Sequence, residues 1–348
     1  MPGTSDRRSK LREKGLLTVD DSAIQLGTGD RQDRDAGSGN SPSTPDGVVR
    51  KERLMSGPHP FPIQAPDLKK MKQRGERIAM LTAYDFPTAR RVDEAGAEVL
   101  LVGDSLGMVL LGYESTLPVT MDQMIHHTKA VVRGTLRGMV VADMPYLSYH
   151  LGISDAVRNA GRLIQEAGAK AVKVEGGRKR VRVIRAIRDA EIPVMGHVGL
   201  TPQSVHELGG FKIQGRGAQA GRSIMEDALA LEEAGVFCVV LEGIPAELAG
   251  IITQRLTIPT LGIGAGPSCD GQVLVLHDLL GLTEGSLPSF VRKYAEVGAT
   301  ITRACRDFIE DVRSGKFPGE TESSHLKPEV LQEVRRGLSA TAAWPGNS

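Results

Sequence analysis

The chain has 348 residues, 40% of them hydrophobic and 24% charged, with a net charge of +1. This is an ordinary globular balance, and near-neutrality gives no reason to expect nucleic acid or an anionic membrane as partner. No apolar run approaches the ~20 residues a membrane-spanning helix needs, and the scattered Cys238, Cys269 and Cys305 form neither a disulfide framework nor a zinc-ligand spacing, so they read as buried thiols of a cytoplasmic protein.

Residues 1–60 are rich in Gly, Ser, Asp and Arg and show no sustained apolar period. Such a segment cannot bury enough apolar surface to offset the entropy of ordering, which predicts a disordered N-terminal tail. Its basic start is followed by no apolar stretch, as a secretory signal requires. Asp20, Asp21, Asp30, Asp33 and Asp35 argue against a mitochondrial presequence. A catalytic domain is expected over 61–319, followed by a C-terminal tail, 320–348, with a short helix at Pro328–Leu338.

From Ala65 the signals become regular. APDLKKMKQRGE reads as a short amphipathic helix stopped by Gly75. Apolar runs follow at Ile78–Tyr84, Glu98–Asp104, Met139–Pro145, Ala171–Gly177, Pro193–Leu200, Cys238–Ile244 and Thr260–Gly266. Gln272–His277 fits either a strand or a helix start. Between the runs lie segments such as SDAVRNAGRLIQEAG and GRSIMEDALALEEAG, which open on Ser or Gly and close on Gly. The phrase xxAG recurs before the runs at Glu98, Ala171 and Cys238, where Gly stops a helix and a short loop enters a strand. Eight β-then-α units over about 250 residues predict an α/β fold of the (β/α)8 TIM-barrel type. A doubly wound open sheet is the alternative. It is disfavoured because nothing marks a switch point and acids follow many different strands.

Those acids point to chemistry. Asp104 ends LLVGD, Asp143 ends MVVAD, Glu175 ends AVKVE and Glu242 ends CVVLE. Runs of this kind read as buried parallel strands, and α/β barrels build their sites at strand C-termini. Several buried charges converging there each lose roughly several kcal/mol of solvation, which a bound metal ion would offset. Three hard oxygen ligands suit Mg²⁺, which takes a few carboxylates and completes its octahedron with water and substrate. One or two of the acids could bind through water.

Lys173 and Glu175 are two apart and share a strand face, with Val172 and Val174 on the other. They are either a satisfied pair filling a core or working groups at its mouth; the Gly176-Gly177 that follows favours the second. Asp104 could equally cap a helix beginning near Ser105. His197 in GHVGLTPQS could be a metal ligand, a hydrogen-bond donor to substrate or a core histidine, with Thr201 and Pro202 opening a helix after it. GGFKIQGRG (Gly209–Gly217) matches no phosphate-loop pattern and reads as a mobile loop near the site. GIGAG (Gly262–Gly266) is too little for a dinucleotide site.

The motifs VGDSLGM, STLPVT, VKVEGG, GHVGLTPQS, QGRG, LEGIP, GIGAG and DGQVLVLHDLLG occur in this order. Together they resemble the ketopantoate hydroxymethyltransferase (3-methyl-2-oxobutanoate hydroxymethyltransferase) family from about Ala65 to Gly319. The resemblance implies a (β/α)8 barrel of the phosphoenolpyruvate/pyruvate type. It also implies transfer of a hydroxymethyl group from 5,10-methylenetetrahydrofolate to 3-methyl-2-oxobutanoate, through a Mg²⁺-stabilised enolate. The product would be 2-dehydropantoate, on the route to pantothenate and coenzyme A. By the same resemblance Asp104, Asp143 and Glu175 would hold the metal, Asp104, Ser105, Asp143 and Lys173 the substrate, and Glu242 would accept the proton. A homodecamer is implied as well. The long N-terminal tail and Gly243 after Glu242 depart from the family pattern. A Mg²⁺-dependent lyase on the same barrel type and a non-catalytic barrel that binds a small acid are the competing readings.

Overall fold

The computed structural model describes residues 62–341; the tail expected at 1–60 lies outside them. Eight strands form one sheet: β1 Ile78–Thr82, β2 Val99–Val102, β3 Met139–Asp143, β4 Ala171–Glu175, β5 Val194–Gly199, β6 Cys238–Glu242, β7 Thr260–Ile263 and β8 Gly271–Leu274. All pair in parallel, in chain order, and β8 closes on β1. Closure rules out the open-sheet alternative.

The helices are α1 Ala65–Gln73, α2 Phe86–Ala95, α3 Leu106–Val109, α4 Met121–Gly134, α5 Ile153–Gln165, α6 Val181–Asp189, α7 Val205–Leu208, α8 Ala218–Glu233, α9 Ala246–Arg255, α10 Leu276–Leu279, α11 Val297–Ser314 and α12 Pro328–Thr341. The xxAG phrase has one physical cause. Gly96, Gly168 and Gly235 all take positive φ, at 99°, 80° and 87°, a conformation that costs glycine nothing. Each turns the chain out of a helix and into β2, β4 or β6.

Period-two alternation divides the strands between two cores. Val172 and Val174 of β4 point outward and share a cluster with Ile184 and Ile187 of α6. Met80, Val99, Leu101, Met139, Met195 and Val240 fill the barrel with their neighbours. That inner cluster extends to Leu68 and Met71 of α1, so α1 plugs the barrel at its strand N-termini. Lys72 fastens the plug: its Nζ donates to Thr253 O at 2.8 Å and Ile258 O at 3.0 Å, and pairs with Asp270 Oδ2 at 3.0 Å. A sealed lower end leaves the mouth, where the strands terminate, as the place for chemistry.

Three local expectations change. β7 runs to β8 without an intervening helix, so the seventh β-then-α unit lacks its α. The link 264–270 is short enough because it turns at Gly264 and Gly266, both at positive φ, and because the Thr260 amide ties back to Asp270 Oδ2 at 2.8 Å. Gln272–His277 holds both of its readings, the end of β8 and then the start of α10. TPQS opens a 3-10 turn, Pro202–Ser204, before α7, and Thr201 makes no side-chain cap. The helix expected from Pro328 is α12, which starts at that residue.

If Lys72 anchors the plug, Lys72→Ala should destabilise the barrel by about 2 kcal/mol, the scale for hydrogen bonds from a charged group. Urea unfolding reads this as a lower midpoint at unchanged slope. An unchanged midpoint would show that Leu68 and Met71 hold α1 unaided.

Candidate active site

Asp143, Lys173, Glu175, His197 and Glu242 sit at the ends of β3, β4, β5 and β6, and Asp104 lies two residues past β2. Strand register makes them neighbours: Asp143 pairs with Lys173 and Glu175 with His197. Asp104, Asp143, Lys173, Glu175 and His197 are all buried, while Glu242 is partly open. The structure therefore gathers every residue named from sequence into one place. The core-filling reading of Lys173 and Glu175 does not account for it, because they face a cavity of about 1240 Å³ along with Asp104, Ser105, Asp143, His197 and Glu242.

Lys173 Nζ lies 3.0 Å from Asp143 Oδ1 and 3.7 Å from Glu175 Oε1. Burial alone would push its ammonium down, yet Asp143, Glu175 and Asp104 together hold it above its ordinary value. It also touches His197 Nδ1 at 3.3 Å. His197 spans two acids, with Nδ1 3.3 Å from Glu175 Oε1 and Nε2 3.2 Å from Glu242 Oε2. Burial and Lys173 disfavour its charged form, but the two carboxylates win and raise it to about 9. His197 is thus a bridge between acids rather than an isolated core histidine.

The acids divide by environment. Burial pushes Asp104 well above the usual carboxylate range, and the charges of Asp143 and Glu175 add to that. Asp143 is raised by burial, against the pull of Lys173. Glu175 ends low: burial opposes its charge, but His197, Lys173 and the Gln203 amide outweigh it. Asp104 caps no helix. Its Oδ2 accepts from Gln203 Nε2 at 2.8 Å, while α3 begins after Ser105, whose Oγ lies 2.9 Å from Tyr84 Oη.

Sequence reasoning missed two buried residues here, Gln203 and Tyr149. Gln203 read only as part of a helix start, and Tyr149 lies in the β3–α5 loop with no periodic signal. Gly243, the departure after Glu242, takes φ 55°, and a Cβ there would come 3.0 Å from Leu200 Cβ. Glycine is the residue this turn requires. Phe211, Lys212, Ile213 and Arg216 of the glycine-rich loop line the cavity, as does Gly264 of GIGAG.

The donor set is all oxygen on the acid side, which suits a hard divalent cation. Asp143 Oδ1 is buried and, beyond its ion pair with Lys173, makes no hydrogen bond. Among the described residues no three His, Cys, Asp or Glu side chains form a ready-made cage. The buried Asp143 Oδ1 suits an ion such as Mg²⁺, which takes one or two carboxylates and leaves its remaining positions to water and substrate. Among the described residues no helix is long and apolar enough to cross a membrane.

Comparison with known proteins gives one answer for most of the chain. Residues 62–320 match the ketopantoate hydroxymethyltransferase family. A 3-methyl-2-oxobutanoate hydroxymethyltransferase from Syntrophomonas wolfei is 56% identical over 267 residues, covering 77% of this chain and 97% of that one. The enzyme of the same name from Moorella thermoacetica is 58% identical over 261 residues, covering 75% and 97%. Among solved structures, a phosphoenolpyruvate phosphomutase from Streptomyces platensis subsp. rosaceus superposes with a TM-score of 0.51 at 15% identity, over 80% of this chain and 97% of its own. That likeness speaks to the barrel fold alone.

The charge balance yields a direct expectation. Lys173→Met removes the cation among Asp104, Asp143 and Glu175, and breaking a buried pair in this way typically costs roughly 3–5 kcal/mol. In excess chelator, urea unfolding should show a loss of that size, and adding Asp143→Asn should recover part of it. A single variant as stable as wild type would mean that the acids are not jointly ionised.

Proposed function

The chain belongs to the ketopantoate hydroxymethyltransferase family, and we propose that it transfers a hydroxymethyl group from 5,10-methylenetetrahydrofolate to 3-methyl-2-oxobutanoate, giving 2-dehydropantoate for pantothenate and coenzyme A synthesis. It is an enzyme, a hydroxymethyltransferase. One observation carries the mechanistic reading: His197 separates a cluster of acids and lysine on β3 and β4 from a single carboxylate, Glu242, on β6. The first group suits the oxygens of a 2-oxo acid. The second suits a proton.

Asp104, Asp143 and Glu175 would hold Mg²⁺, with Glu175 a candidate to act through water because Gln203 N bonds its Oε2 and His197 Nδ1 lies 3.3 Å from its Oε1. Bound there, the ion supplies Lewis-acid charge to the keto and carboxylate oxygens of the substrate. Ser105, beside Asp104, offers a hydroxyl to the substrate carboxylate. The Lys173 ammonium sets a fixed positive charge where the keto oxygen becomes negative, in a buried site where such a charge counts for most. Glu242 takes the proton from C3, with the charge of His197 Nε2 3.2 Å from its Oε2. C3 loses that hydrogen and bonds to the methylene carbon, which gives up both of its bonds to the folate nitrogens N5 and N10. Water supplies the hydroxyl group, and its other proton together with the one taken from C3 goes to the two nitrogens, leaving tetrahydrofolate.

The cavity supports a second, larger substrate. About 1240 Å³ exceeds what a small branched acid fills, and it is above the usual range of roughly 300–1,000 Å³ for drug-sized ligands. The walls beyond the acids include Tyr113, Phe211, Ile213 and Phe290, flat and apolar enough for a pterin. The homodecamer reading rests on the family; α11 is consistent with an assembly, since it has no buried residue and exposes Ile301, Phe308, Ile309 and Val312 on the isolated chain. Light scattering at micromolar concentration should give a ring-sized particle, and a monomer would reject the assembly.

Proton abstraction separates Glu242 from the metal acids. With Mg²⁺ and no folate, the protein should exchange the C3 proton of 3-methyl-2-oxobutanoate in deuterated water. Glu242→Gln keeps the shape of the side chain but cannot accept the proton. It should bind Mg²⁺ and substrate near normally and lose exchange by at least roughly 10²-fold, the lower bound for a general base. Exchange that survives the substitution would move the base to another group.

A further inference from the structure

Each of the three acids has one oxygen tied by a neutral N–H, and two of those ties come from one residue. Gln203 Nε2 donates to Asp104 Oδ2 at 2.8 Å, and the Gln203 backbone N–H donates to Glu175 Oε2 at 3.0 Å. The third tie runs from the Asp104 backbone N–H to Asp143 Oδ2 at 3.0 Å. The opposite oxygen of Asp143 lies 3.0 Å from Lys173 Nζ, and that of Glu175 lies between His197 Nδ1 at 3.3 Å and Lys173 Nζ at 3.7 Å. From this we infer that Gln203, oriented by Tyr149, is a positioning residue that decides which oxygens of Asp104 and Glu175 face the ligand. The inference rests on the metal and substrate roles proposed above for these acids.

The amide of Gln203 has one chemically consistent orientation. The Tyr149 hydroxyl donates to Gln203 Oε1 at 2.5 Å, and burial keeps that phenol protonated by pushing it well above its ordinary value. Nε2 then carries two hydrogens, one for Asp104 Oδ2 and one for Met144 O at 3.0 Å. Both partners are pure acceptors. A flipped amide would set its oxygen against a carboxylate and a carbonyl, so Tyr149 and the two acceptors select the same state. Gln203 and Tyr149 are themselves buried, at 6% and 1% exposure. The Arg180 guanidinium lies over the Tyr149 ring, 5.5 Å from its centroid.

The neutrality of these donors matters. An ammonium in place of the Gln203 amide would orient Asp104 and also cancel its charge. An amide orients it and leaves the charge for a cation. Partners of this kind typically govern roughly 10–100-fold in metal affinity or activity.

The test uses the full-length protein and Mn²⁺ as the probe, read by electron paramagnetic resonance without turnover. Gln203→Met keeps the backbone N–H to Glu175 and the side-chain length, but removes the amide. Tyr149→Phe keeps the ring under Arg180 and removes the hydroxyl that orients the amide. Gln203→Met should weaken Mn²⁺ binding by roughly 10–100-fold, and Tyr149→Phe should shift it in the same direction by less, both with melting temperatures near wild type. KM for 3-methyl-2-oxobutanoate should rise in both. Should Gln203→Met fail to fold, weakened Mn²⁺ binding by folded Tyr149→Phe supports the inference, and wild-type affinity in that variant overturns it. Wild-type affinity in a folded Gln203→Met overturns it as well. A wild-type protein that takes up no Mn²⁺ overturns the metal reading and this inference together.

Discussion

The charge imbalance at the barrel mouth is the constraint that organises this molecule. Asp104, Asp143 and Glu175 are buried within reach of a single lysine, and burial pushes the first two above the usual carboxylate range. Counting Glu242, four carboxylates meet two cations, the Lys173 ammonium and the His197 imidazolium, a set that the protein does not balance from within. Much of the surrounding structure answers this. Neutral amides from Gln203 and Asp104 each take one oxygen, and His197 shares a charge between Glu175 and Glu242. The remaining deficit is what a divalent cation would fill in the proposed reaction.

Closing the barrel in chain order is what makes such crowding possible. Each strand contributes one or two side chains to the mouth, and register decides which of them meet. The lower end is occupied by α1, with Leu68 and Met71 in the inner core. The site is therefore open on one side only. The side chains divide along β4: Ala171 belongs to the inner apolar core, Lys173 and Glu175 face the cavity at the mouth, and Val172 and Val174 pack against the helices.

Much of this was legible in the residues. An acid closing a β-branched run marks the end of a buried strand, and the runs at Asp143, Glu175 and Glu242 end as strands at those residues. Alternation within AVKVE separates Lys173 and Glu175 from the valines without any knowledge of the fold. The missing seventh helix was not legible. Gly264 and Gly266 were visible, but a tight link between parallel strands has no signature distinct from an ordinary glycine loop. Gln203 and Tyr149 stayed hidden for a different reason. Their part is defined by contacts across 54 positions of chain for the pair and 99 for Gln203 with Asp104, and neither neutral side chain carries a charge or a period that marks it. Gly243 looked like a departure and proved to be a requirement of its turn.

The central claim is that these acids, through a divalent cation, support one-carbon transfer to a 2-oxo acid. Its most direct test is mass detection of 2-dehydropantoate from purified protein given 3-methyl-2-oxobutanoate and 5,10-methylenetetrahydrofolate, first in excess chelator and then with Mg²⁺ restored. The account predicts product only when Mg²⁺ and both substrates are present. Full turnover in chelator, or none with all three components supplied, would contradict it.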